Sequence, residues 1–193
     1  MALSFRTGSK ALYYGDSQST SHSLSSFQKK INAQYIFNYL IEKGWSINAI
    51  CGLLGNLENE SAINPGRWQS EDVGNMNGGY GLVQWTPAKN YINWAKNRGY
   101  DWSTMDSNLK RILYELENGL QFYKTSSYPL TFKQFTQSNE SPYYLACAFA
   151  WIMSLIGRIA SDAQKELLIC HMEYKVIERL SGGSGTISLS DRI

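Results

Sequence analysis

Ser46-Ile47-Asn48-Ala49-Ile50-Cys51-Gly52-Leu53-Leu54-Gly55-Asn56-Leu57-Glu58-Asn59-Glu60-Ser61-Ala62-Ile63-Asn64-Pro65-Gly66 is the stretch on which the reading of this chain turns. Ser46 offers a side-chain oxygen to the unpaired amides of a first helical turn. Ile47, Ile50, Leu53, Leu54 and Leu57 recur at helical spacing, which makes a stripe laid against a core. Asn64-Pro65-Gly66 ends it, because the residue before a proline is driven out of the helical region. Leu53, Asn56, Leu57 and Glu60 share a face, so the apolar stripe ends in one acid. A carboxyl at the rim of a core is expected to lose water, which favours its protonated form. Such an acid suits protonation of a glycosidic oxygen. Glu58, two positions away, points elsewhere and reads as a solvated charge. Periodicity alone also allows a plainer reading, in which Glu60 merely ends an amphipathic helix at the surface.

Beyond this helix the helical period vanishes from Arg67 to Trp85. Gly74, Asn75, Asn77-Gly78-Gly79 and Gly81 are turn signals. A small β-hairpin is expected there, with Tyr80, Leu82 and Gln84 alternating against Gly81, Val83 and Trp85. Glycine lets a backbone approach a ligand closely. The Gln84 amide can both donate to and accept from sugar hydroxyls and N-acetyl groups. Trp85 and Trp68 suit either stacking on sugar rings or core packing. Glu71 and Asp72 sit between Glu60 and the hairpin, where a second carboxylate would belong, although loop acids are commonly just solvated.

Outward from these two segments the chain reads as helical. Residues 1–25, rich in Ser, Thr and Gly, form an arm. Ser26 caps a helix from Phe27 that ends at Gly44. Thr86-Pro87 opens another, with proline at the first helical position. Further helices follow Asp106, span Phe132–Phe135, run from Ser141-Pro142 through Trp151, and cover Ala163–Leu180. Ser181-Gly182-Gly183-Ser184-Gly185 has linker composition, so residues 181–193 read as a stub leading to an absent domain. The expected fold class is α+β, mostly α, with one domain over residues 26–180 and a small β-hairpin beside the helix that carries Glu60.

Composition narrows the function. The chain has 193 residues and 21.9 kDa, which suits one domain with short tails. A net charge of +2 argues against nucleic acid or an anionic membrane as the main partner. Six Trp and thirteen Tyr suit a sugar-binding cleft or an ordinary core. The three cysteines, Cys51, Cys147 and Cys170, lack the spacing of a disulfide framework. No secretory h-region opens the chain, so synthesis in a reducing cytoplasm is expected. The apolar run Tyr143–Ile156 is too short for a membrane span. The two histidines, His22 and His171, form no zinc pairing or nucleophile triad. No phosphate-binding or dinucleotide loop is present. Carboxylates remain the acid–base groups at hand, with Glu60 foremost.

Gly55 to Gly66, followed by Gly79 to Thr86, resembles the phage tail lysozyme family, in particular the lysozyme part of the tail-tip wall-degrading protein of small short-tailed phages of Gram-positive bacteria. The likeness runs from about Lys30 to Arg111 and more weakly to Phe149. It implies a lysozyme-like fold and cleavage of the β-1,4 MurNAc–GlcNAc bond of peptidoglycan. The catalytic acid falls on Glu60. Gln84 lies on the motif that lines the cleft, and Tyr80, Gly81, Trp85, Trp68 and Asn56 are the other expected substrate contacts. Glu71 and Asp72 are candidate second carboxylates. No metal or cofactor is implied. The implied partners are peptidoglycan glycan strands and other phage tail proteins, with no nucleic acid and no membrane span. The implied location is the tail tip of the virion, after synthesis in the host cytoplasm. A lytic transglycosylase on the same glycan and a non-catalytic glycan-binding tail protein are the alternatives. The resemblance departs at Trp151-Ile152-Met153-Ser154-Leu155-Ile156-Gly157-Arg158, where the family tends to carry an aromatic-Glu-Arg-Pro segment, and returns near Leu180-Ser181-Gly182-Gly183. A compensated pair of frameshifts or a deviant lineage would produce that, and a segment that closes the cleft would then be altered.

Overall fold

The computed structural model describes residues 24–120 and 124–154. The expected arm before residue 24, the helix over Ala163–Leu180, the stub after Ser181, both histidines and Cys170 lie outside the described residues. So does most of the stretch where the family likeness departs.

The described chain is mostly helical: α1 (Ser26–Glu42), α2 (Ile47–Ser61), α3 (Ala88–Lys96), α4 (Met105–Glu117), α5 (Phe132–Thr136) and α6 (Pro142–Ser154). Among the described residues no helix is long and apolar enough to cross a membrane. Side-chain caps start most of these helices. Ser46 Oγ accepts from the Ala49 amide at 3.1 Å, as its position before the apolar stripe requires. Ser25, not Ser26, caps α1, because Gln28 reaches back to it in a capping box. Thr104 caps α4, which places Asp106 in the first turn, where a carboxylate complements the helix dipole. Pro87 is the cap residue of α3 and not its first helical residue.

α2 is the central element. Ile50, Leu53, Leu54 and Leu57 are fully buried, each worth about 2 kcal/mol of apolar transfer. Its main neighbour is α6. Gly52 permits that approach: a Cβ there would lie 2.9 Å from the Ala146 amide nitrogen and 3.0 Å from the Pro142 carbonyl oxygen. Asn56 then ties the two helices, its Nδ2 donating to the Gly52 and Ala146 carbonyls at 2.9 and 3.0 Å. Ile36 and Leu40 of α1, Tyr91 and Ile92 of α3, and Leu109 and Ile112 of α4 complete the same core. Cys51 and Cys147 are both buried.

The hairpin is a correction. Among the described residues there is no strand; two isolated antiparallel bridges join Trp68 to Tyr80 and Tyr80 to Trp85. Tyr80 and Trp85 exchange both backbone hydrogen bonds, at 3.1 and 2.9 Å, and the Gln84 amide closes on the Gly81 carbonyl. The chain therefore reverses within Gly81–Gln84, with Gly81 at φ 81° and Gln84 at φ 52°. Leu82 and Val83 are both buried, so no alternation develops. α3 begins at Ala88, which leaves no length for a ladder.

Candidate active site

The segment leaving α2 and the glycine-rich turn are far apart in sequence but form one hydrogen-bonded unit. α2 ends because Ala62 adopts the left-handed conformation, and the Ile63 amide folds back on the Leu57 carbonyl at 3.1 Å. Buried Asn32 of α1 donates to the Ile63 carbonyl at 2.9 Å. Asn64 Oδ1 accepts from the Gly66 amide at 2.9 Å. The next residue, Arg67, offers its carbonyl to the Gly81 amide at 2.9 Å and to Gln84 Nε2 at 3.2 Å. Gln69 pairs with Gly79 twice: its amide donates to the Gly79 carbonyl at 2.9 Å, and its Oε1 accepts from the Gly79 amide at 2.8 Å.

Backbone strain concentrates here. Among the described residues, the non-glycine residues at positive φ are Ala62 (54°), Ile63 (55°), Ser70 (53°), Glu71 (59°) and Gln84 (52°). All fall between the end of α2 and the turn. Such residues cost on the order of 1–3 kcal/mol each and persist where the surrounding structure over-determines them. The Asn32, Asn64, Gln69 and Gln84 bonds provide that surrounding structure.

Glu60 is the penultimate residue of α2 and is exposed. The sequence placed this carboxyl at the rim of the core; the described structure places it at the surface. Leu57 is buried, but one turn later the helix ends and the chain turns away, leaving Asn59 and Glu60 at the surface. Glu58 is not simply solvated: it is half-buried and takes an ion pair from Lys29 Nζ of α1 at 2.7 Å. Glu71 and Asp72 are exposed on the intervening loop, and Asp72 Oδ2 accepts from Asn75 Nδ2 at 2.9 Å.

Gln84 is half-buried beside the turn. Its Nε2 is occupied by the Arg67 and Gly81 carbonyls, the latter at 2.9 Å, so Oε1 is the atom it can offer a ligand. Gly79 makes room for this amide; a Cβ there would come within 3.0 Å of Gln84 Oε1.

The other expected contacts are interior. Trp68, Tyr80 and Trp85 are buried at 6%, 0% and 2% exposure, and Gly81 is buried with them. Trp68 meets Tyr80 edge-on at 4.6 Å, Tyr80 stacks on Tyr91 at 5.9 Å, and Tyr91 stacks on Trp85 at 4.5 Å. These rings form the platform under the turn and do not present a face at the surface. Burial pushes the Tyr80 and Tyr91 hydroxyls well above the ordinary tyrosine range, so both stay protonated. Asn56 spends its donors on carbonyls of α2 and α6, as described above.

The helix expected after Asp106 is α4, but its buried polar face was not legible in the sequence. Asn108, Arg111 and Glu115 are buried polar residues at helical spacing. Asn108 Oδ1 accepts from the Leu82 amide at 2.9 Å. Glu115 Oε1 accepts from Trp85 Nε1 and from Arg111 Nε, both at 2.8 Å. The sequence signal was a polar stripe running beside the apolar one of Leu109, Ile112, Leu113 and Leu116. Among the described residues no cluster of His, Cys, Asp or Glu is arranged to hold a metal ion.

Comparison with known proteins places this geometry in context. The phage tail lysozyme family matches residues 31–157. That match ends inside the stretch where the motif departs. Morphogenesis protein 1 of Bacillus phage B103 is 52% identical over 126 residues, which is 65% of this chain and 34% of that protein. The chain therefore spans about a third of the length of that relative.

Proposed function

The chain belongs to the phage tail lysozyme family, and from that premise we propose that it is a peptidoglycan-cleaving glycosidase carried by a phage particle, with Glu60 as its general acid. The observation that carries the reading is the joining of the two motif segments. The loop that leaves α2 just after Glu60 is bonded through Arg67 and Gln69 to the turn that bears Gln84. The helix end that bears the carboxyl and the turn that bears the amide acceptor are thus linked through one hydrogen-bonded segment.

Cleavage of the β-1,4 bond next to N-acetylmuramic acid needs a proton delivered to the leaving oxygen. Glu60 is exposed in the folded chain, so the glycan itself supplies the desolvation: a sugar laid over the carboxyl excludes water and favours its protonated form. Gln84 Oε1 then accepts from an attacking water or from the acetamido N–H of the substrate. Glu71 and Asp72, on the loop between, are the carboxylates available to orient that water. Residues 26–180 act as the catalytic domain and residues 181–193 as the link to a further domain. In the virion such a protein would sit at the tail tip, beside other tail proteins, and open the wall for passage.

Replacement of Glu60 by Gln tests the proposal. Lysis of purified cell walls is expected to fall by about a thousandfold, with fold and glycan binding retained. Full lysis by this variant removes Glu60 from the mechanism, and a wild-type chain that binds glycan without cutting it makes this a binding protein. Mass spectrometry of the released fragments reads the chemistry. Reducing ends follow from hydrolysis, whereas anhydro-muramic ends would identify a lytic transglycosylase.

A further inference from the structure

We propose that Asn108 is a positioning residue for glycan cleavage: it sets the spacing between the loop that leaves Glu60 and the turn that carries Gln84. The inference rests on the glycosidase reading above. Asn108 lies on α4, has no exposed surface, and uses both ends of its amide. Oδ1 holds the Leu82 amide of the turn at 2.9 Å. Nδ2 donates to the Thr104 carbonyl at 2.9 Å and to the Tyr91 hydroxyl at 3.0 Å, and makes a longer 3.4 Å contact with the Pro65 carbonyl of the loop. One side chain therefore touches the turn, the loop and the platform aromatic beneath them.

The fit around it is tight. A Cβ on Gly81 would stand 2.5 Å from Asn108 Oδ1 and 3.0 Å from the Trp85 ring. The turn is thus drawn onto the asparagine closely enough that only glycine is accommodated. The Tyr91 hydroxyl is itself fixed, since it donates to the Trp102 carbonyl at 2.7 Å. A buried amide with every polar atom engaged holds its neighbours in one geometry, and a shift of about 1 Å between catalytic groups costs on the order of a hundredfold in rate.

The test compares Asn108→Ala and Asn108→Asp with the full-length parent, alongside Glu60→Gln. Cleavage of purified peptidoglycan is followed at saturating substrate, with KM and the thermal midpoint measured on the same samples. Glycan binding is measured in the Glu60→Gln background. The expected result is about a hundredfold loss of the saturating rate at temperatures where the variant is folded, with KM and binding within about threefold of the parent. Asp keeps the acceptor for Leu82 and loses the donors, so it carries the test if the Ala variant does not fold. A folded variant whose saturating rate matches the parent, with only its thermal midpoint lowered, overturns the proposal and leaves Asn108 a stabilising group. A parent chain that binds glycan without cutting it instead sinks the underlying glycosidase reading, and undiminished cleavage by Glu60→Gln removes Glu60 as the acid, so these failures are separable from that of Asn108.

Discussion

Trp85 donates its indole N–H to Glu115 Oε1 over 2.8 Å, and the same oxygen accepts from Arg111 Nε at an equal distance. The glycine-rich turn is therefore anchored from below by a buried ion pair. Removing one member of such a pair leaves the other charge uncompensated. Glu115→Ala is expected to lower the unfolding free energy by about 3–5 kcal/mol at a pH near 8. Glu115→Gln keeps an acceptor for both donors and should lose less than half as much. Urea unfolding followed by tryptophan fluorescence measures both; equal losses would show that the acceptor geometry is unimportant.

The same residue makes stability depend on pH. Burial pushes the Glu115 carboxyl up to about 7, outweighing Arg111 and the two hydrogen bonds that pull it down. In the unfolded chain it returns to about 4.3. Between those values the folded chain holds a proton that the unfolded chain has released, so raising the pH costs the fold. The contribution is complete below about pH 4, declines through the interval, and is lost above about pH 7, on the order of 3 kcal/mol in all. Subtracting the Glu115→Gln stability profile from that of the parent isolates it. A flat difference across this range would refute the assignment.

Gly52 sets the separation of α2 and α6. An alanine there would put its Cβ 2.9 Å from the Ala146 nitrogen and 3.0 Å from Leu145 Cβ. Backbone cannot yield as a side chain can, so Gly52→Ala should destabilise by about 1–3 kcal/mol despite its better helix propensity. Thermal unfolding reads the change; a gain in stability would mean that the helices slide apart freely.

Asn56 separates a packing role from a binding one. Loss of its amide leaves the Ala146 carbonyl buried without that donor, which costs about 1–3 kcal/mol. Asn56→Ala should accordingly lower stability with KM for peptidoglycan unchanged. A raised KM in a fully folded variant would restore Asn56 as a substrate contact.

The helices were legible because their signals are local. Ser46 stands directly before the stripe it caps, and Ile50, Leu53, Leu54 and Leu57 are as buried as their spacing demands. The turn was harder. Its glycines announced a reversal, but nothing local says that Tyr80 and Trp85 pair at once and that no ladder follows. The aromatic residues were ambiguous for a different reason: the composition of a stacking surface and of a core is the same, and here Trp68, Tyr80 and Trp85 went inside. Asn108, Arg111 and Glu115 were illegible because a polar side chain in sequence reads as solvated until a partner from another element is known. Their partners, Leu82 and Trp85, lie on the turn.

The anchoring of the turn on α4 bears on how small a working piece can be. A fragment trimmed after Tyr100 would retain both signature motifs, and so pass any recognition by pattern, yet it would lack the amide under Leu82 and the carboxylate under Trp85. Grafting the two motifs onto another scaffold would meet the same deficit. The smallest transplantable unit runs at least through Glu115, so the boundary is drawn by a buried keel and not by the residues proposed to face the glycan.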